Sequence, residues 1–99
     1  MEDSYLVKTD YGEVLVRVNK ESKNALDNDL LSFEKPTPEN TRGVPFEVPL
    51  RAFGAKMLEI IEAIGVGDMG ASPQMVRMMI QEKATSDLNR IERWAKENG

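Results

Sequence analysis

Asp27-Asn28-Asp29 sets two carboxylates around an amide, the kind of oxygen-ligand run that a hard cation such as calcium uses. A calcium-binding loop of the helix–loop–helix type would need a glycine next and a glutamate at its twelfth position. Leu30-Leu31-Ser32 follow instead, so the triplet reads as a turn or a helix start. Glu21-Ser22-Lys23 has the spacing of the acid–lysine half of a metal-dependent nuclease site, a three-letter match that chance supplies often. Gly65-Val66-Gly67-Asp68-Met69-Gly70 spaces its glycines as a dinucleotide-binding loop does. Such a loop follows a strand. Here a helical pattern precedes it and Asp68 would repel a phosphate, so it reads as a connector between helices. The anion-attracting feature that remains is the start of the following helix at Ser72.

Residue types missing from the sequence narrow the chemistry further. There is no histidine and no cysteine. That removes Cys/His zinc sites, thiol nucleophiles, disulfides and the Ser-His-Asp arrangement together. No acid, base and nucleophile converge in what is left. The expectation is a chain with no catalytic residues, no metal and no cofactor.

Charge points the same way. Thirteen Lys and Arg against seventeen Asp and Glu leave a formal net charge of −4. Nucleic-acid affinity draws heavily on cations neutralising phosphates, so an acidic chain is a poor candidate for that partner. A basic surface on another protein suits it better. No apolar run approaches the ~20 residues that span a bilayer. The start Met1-Glu2-Asp3-Ser4 lacks the basic and apolar regions of a secretory signal, so the expected setting is cytoplasmic.

The elements that would position these residues can be read in order along one domain of 99 residues. Residues 4–19 alternate in polarity and are rich in β-branched types, which predicts a hairpin turning at Asp10-Tyr11-Gly12-Glu13. The favoured register sets Thr9 opposite Val14, Val7 opposite Val16 and Tyr5 opposite Val18, with Lys8 and Arg17 on the other face. Residues 20–44 are less legible. Ser22–Leu31 reads as a short helix, and Leu31–Glu34 equally as a third strand, before the proline-broken loop 35–43. Val44–Val48 reads as an edge strand, where Pro45 is tolerated.

Leu50, Phe53, Met57, Ile60, Ile61 and Ile64 recur at helical spacing and predict a helix over 49–64, with Pro49 at its first position and Gly65 at its end. Gly54 inside it marks close backbone packing. Ser72 and Pro73 open a second helix that runs to about Lys96. Its apolar stripe is Val76, Ile80, Ala84, Leu88, Ile91 and Ala95. Arg77, Lys83, Arg90, Arg93 and Lys96 alternate with Glu82, Asp87, Glu92 and Glu97, which reads as a mixed solvated face.

The fold class expected is α+β: an N-terminal antiparallel β-hairpin, with room for one or two more short strands, covered by a C-terminal two-helix hairpin. Met69, Met75, Met78 and Met79 cluster in the connector and the first turns of the last helix, and Met75 and Met78 fall off its stripe. Methionines there fill the joint between helices or supply an adaptable contact surface. Trp94 either docks its helix onto the sheet or anchors an interface. These five are the candidate interface residues. A homodimer or higher oligomer through the last helix is expected, acting as a regulator or inhibitor on a larger protein. In size and charge the chain is like the small acidic accessory proteins of phages and mobile elements. Two alternatives stand beside this: a nucleic-acid binder using Arg77, Arg90 and Arg93, and a binder of a small anionic ligand at Ser72.

Overall fold

The computed structural model describes residues 3–44, 47–67 and 70–98. Met69 of the expected methionine cluster, and Pro45 and Phe46 of the expected edge strand, lie outside the described residues. Strands β1 (Asp3–Thr9), β2 (Gly12–Val18), β3 (Leu31–Glu34) and β4 (Glu47–Pro49) form one sheet in the order β3-β2-β1-β4. The β1–β2 and β2–β3 pairs are antiparallel and β4 runs parallel to β1. Helices α1 (Leu50–Ile64) and α2 (Pro73–Asn98) follow and cover one face. This is the expected α+β arrangement, with four strands.

The hairpin forms with a register two residues tighter than expected. Thr9 pairs with Gly12, Val7 with Val14 and Tyr5 with Val16. Side chains alternate with a period of two, so this shift leaves every residue on its expected face. Thr9 supplies the cause. Its hydroxyl donates to the Gly12 carbonyl at 2.7 Å and accepts the Tyr11 N–H at 3.0 Å. That closes the turn on Asp10 and Tyr11 alone, and Gly12 supports it at φ +130°.

Residues 19–30 form no α-helix. Asn19 and Asn24 accept the N–H groups of Glu21 and Leu26 at 3.1 and 2.9 Å, and Ser22 donates to the Asn24 carbonyl at 3.0 Å. Short polar side chains thus take the backbone groups a helix would need. Only a 3₁₀ turn at Asn28–Leu30 remains, and Leu31–Glu34 becomes the third strand. The Ala25 N–H donates to the Gly65 carbonyl at 2.9 Å, fastening this segment to the end of α1.

β3 and β4 occupy opposite edges, so the chain between them crosses the sheet. Both helices lie on the Val7–Val16 face, and Leu15 on the other face is also fully buried. Thr37 and Asn40 brace the connector reciprocally: Thr37 N–H to Asn40 Oδ1 at 2.7 Å, Asn40 N–H to Thr37 Oγ1 at 3.1 Å.

Helix α1 buries Phe53, Met57, Ile60 and Ile61 against the sheet, and the Tyr5 and Phe53 ring centroids lie 5.4 Å apart. Pro49 is its N-cap as well as the last residue of β4, rather than its first helical residue. Gly65 ends it at φ +87°, donating to the Ile61 carbonyl at 2.8 Å. Gly54 does mark a close approach: a Cβ there would sit 3.3 Å from Leu88 Cδ1 of α2. Helix α2 is capped by Ser72, whose hydroxyl accepts the Met75 N–H at 3.3 Å. At 1.5 Å per residue its 26 residues extend about 39 Å, against a longest molecular dimension of 44 Å. Among the described residues no helix is long and apolar enough to cross a membrane.

Candidate interaction surface

Each side of α2 does something different, and the most unexpected side faces inward. Asp87 lies seven residues after Ile80, three after Ala84 and four before Ile91, hence on the apolar stripe itself. Its carboxylate is fully buried. Lys83 Nζ, one turn earlier and 8% exposed, donates to Asp87 Oδ1 at 2.9 Å, and Arg90 Nη1 reaches the same oxygen at 3.3 Å. The reading of Lys83, Asp87 and Arg90 as part of a solvated face is therefore corrected. The angular position of Asp87 carried the signal, which the i,i+4 charge pairing with Lys83 obscured. Asp87 Oδ2 has no hydrogen-bond partner among the described residues. An unmade bond on a buried acceptor costs on the order of 1–3 kcal/mol; Lys83 and Arg90 together set two cations against this one carboxylate.

Arg90 carries that excess charge outward. Its guanidinium also donates to the Asn28 carbonyl at 3.4 Å and lies 5.4 Å from the Phe33 ring centroid. Trp94, one turn further, meets Phe33 with centroids 6.4 Å apart at 55°. Trp94 thus docks α2 onto edge strand β3 while staying half-buried. Phe33, Arg90, Arg93, Trp94 and Glu97 line an open recess of about 260 Å³ beside that edge. Neither Phe33 nor the convergence of Arg90 and Arg93 on it was visible in the sequence, since the third strand had no settled place.

Near the start of α2, Met75 and Met78 are 57% and 59% exposed, the most exposed large apolar side chains among the described residues. They do not fill the joint between the helices; Met79 is half-buried. Leu58 of α1 with Val76 and Ile80 of α2 line a second open groove of about 480 Å³, which Glu62 and Arg77 also border. Tyr11, at the hairpin turn, is also exposed and lies 5.8 Å from Lys96 Nζ.

Other expected positions are dispersed. Asp27 and Asp29 are exposed at the 3₁₀ turn, Asp27 as its N-cap, and Glu21 and Lys23 are exposed in the segment before it. Among the described residues no three His, Cys, Asp or Glu side chains are grouped so as to hold a metal ion. Gly65, Gly67 and Gly70 all take positive φ in the connector between the helices. Glu59 pairs with Lys56 at 3.3 Å. On the sheet face away from the helices, a hydrogen bond shared with Glu47, helped by burial and mutual repulsion, raises the Glu13 carboxyl above its ordinary range, while Lys8 opposes the rise.

Comparison with protein-family models, with curated proteins and with solved structures finds no match for this chain, so its side chains alone carry the functional reading.

Proposed function

We propose that the chain is a non-catalytic, cytoplasmic protein-binding module, a small regulator or inhibitor that self-associates through the start of α2 and acts on a larger protein. The exposure of Met75 and Met78 carries this reading. Both sit in the first turns of a helix whose other apolar residues are buried or half-buried, and unbranched thioethers adapt to a partner surface at low steric cost. The half-buried Leu58, Val76 and Ile80, with Glu62 and Arg77, line a separate, partly apolar groove at the same end of α2.

Light scattering at micromolar concentration tests the self-association. A dimer or larger mass for the parent chain and a monomer for the Met75→Glu/Met78→Glu double variant are the expected results. A monomeric parent would refute it. For the larger partner, charge reversal at the exposed Glu59 and Glu62 is expected to weaken binding to a basic surface, and unchanged affinity would remove the electrostatic part of the reading.

Nucleic-acid binding is less well supported. Arg90 is committed to Asp87, Asn28 and Phe33, which leaves Arg77 and Arg93 about 24 Å apart along the helix.

A further inference from the structure

We propose that β3 and the adjoining side of α2 form a docking groove for an extended acidic peptide, which adds to the sheet beside β3 as a fifth strand. This rests on the reading of the chain as a protein-binding module but uses a different surface from the methionines.

Backbone geometry supplies the first half of the argument. The Asn19 N–H donates to the Leu30 carbonyl at 2.8 Å, so residues 19 and 30 form a hydrogen-bonded pair. In an antiparallel ladder bonded and non-bonded pairs alternate. Arg17 with Ser32 and Leu15 with Glu34 are then bonded pairs, while Val18 with Leu31 and Val16 with Phe33 are not. The N–H and C=O groups of Leu31 and Phe33 therefore point away from β2, along the outer edge of the sheet. Among the described residues neither meets a backbone partner there. Such a row of donors and acceptors is a template for one more strand.

Side chains specify what that strand carries. In strand addition every second side chain of the incoming segment lies on the helix side, over the recess of Phe33, Arg90, Arg93, Trp94 and Glu97. Phe33 and Trp94 offer apolar ring surface there. The Lys83–Asp87–Arg90 group keeps one uncompensated positive charge and Arg93 is exposed beside it, against the single carboxylate of Glu97. On a chain of net charge −4 this is a local basic patch, and it favours carboxylates on the guest. The same charges disfavour a second copy at this edge, because a β3–β3 pairing would bring the arginines of two copies together.

The test is fluorescence anisotropy of a short fluorescein-labelled synthetic peptide on the full chain, read together with backbone amide chemical shifts. In the peptide, glutamate and valine on one face alternate with threonine on the other. Saturable binding is expected, with shifts concentrated at residues 31–34 and 90–97. Arg93→Glu should weaken it about tenfold, and peptides N-methylated at alternate amides, in both registers, should lose binding in at least one.

Several results would overturn the proposal: no saturable binding, N-methylated peptides that both bind like the parent, or a lysine-for-glutamate peptide that binds equally. So would concentration-dependent shifts at β3 without peptide, which would seat a second copy there, or a labelled single-stranded oligonucleotide taking the groove in place of the peptide. Repeating the titration on the Met75→Glu/Met78→Glu variant separates the two readings. Peptide binding that survives loss of self-association supports the groove alone, and self-association without peptide binding defeats the groove alone.

Discussion

Lys83 and Asp87 form a buried ion pair of 2.9 Å within a single helix, one turn apart, with the Asp87 carboxylate closed off from solvent. A pair in that position contributes little net stability, because desolvating two charges offsets most of their attraction. Removing one partner is another matter.

Asp87→Ala is expected to destabilise the protein by about 3–5 kcal/mol in urea unfolding, since Lys83 would remain buried without its counter-charge. The double variant Lys83→Met/Asp87→Leu should recover most of that loss or exceed the parent, because apolar side chains of similar volume also remove the unpartnered Oδ2. A double variant as unstable as the single one would show that the ion pair is needed for the packing itself.

Gly54 stands where its missing Cβ would come within 3.3 Å of the terminal methyl of Leu88. Alanine in place of glycine favours a helix interior by about 1 kcal/mol. Leu88 is only half-buried and its methyl can yield a few tenths of an ångström, so Gly54→Ala should raise the melting temperature. Gly54→Leu should lower stability by about 1–3 kcal/mol by forcing the helices apart. If alanine were as damaging as leucine, the helix pair would be more rigid than its half-exposed seam implies.

Glu13 gives the sheet a pH dependence of definite sign. Its carboxyl is raised, so the folded chain holds that proton more tightly than the unfolded chain does. The corresponding stabilisation is complete below the ordinary glutamate range and fades as pH rises through the raised value. Glu13→Gln removes this dependence. Melting temperatures of parent and variant, compared from about pH 4 to about pH 7, should diverge in favour of the variant as pH rises. A constant difference would mean that the carboxyl shared with Glu47 does not titrate abnormally.

Met75 and Met78 are exposed, so their exchange for glutamate should change the unfolding free energy of the dilute protein by less than about 1 kcal/mol. A loss well beyond that would place both side chains in the fold rather than on a contact surface.

Trp94 is the only tryptophan, so its emission reports on the β3–α2 groove alone. A guest strand over Phe33 should blue-shift it and protect it from acrylamide quenching. Trp94 emission unchanged at peptide saturation would mean that the guest sits elsewhere.

Much of the architecture was legible because it follows from local pattern. The valines of the hairpin, the stripe Phe53–Met57–Ile60–Ile61 and the Ser72–Pro73 start all depend on neighbours within a few residues. The register of the hairpin was missed by two because the Thr9 hydroxyl, a detail that alternation does not encode, closes a tighter turn. Residues 19–30 were ambiguous because leucine spacing favoured a helix while Asn19, Ser22 and Asn24 favoured turns, and the turns won. The arginine–aromatic recess was hidden for a longer-range reason. Phe33 and Trp94 lie sixty-one residues apart, and only the placement of β3 at the sheet edge brings them together.

Pro49 closes β4 and caps α1 with no residue between them. A three-residue edge strand would ordinarily fray, opening its amides to solvent in small, independent excursions. Here the strand cannot peel from β1 without dragging on a helix anchored by Phe53 and Met57. The sheet edge and the helix should therefore open as one cooperative unit, and amide hydrogen exchange at Val48 should be as slow as in the middle of α1.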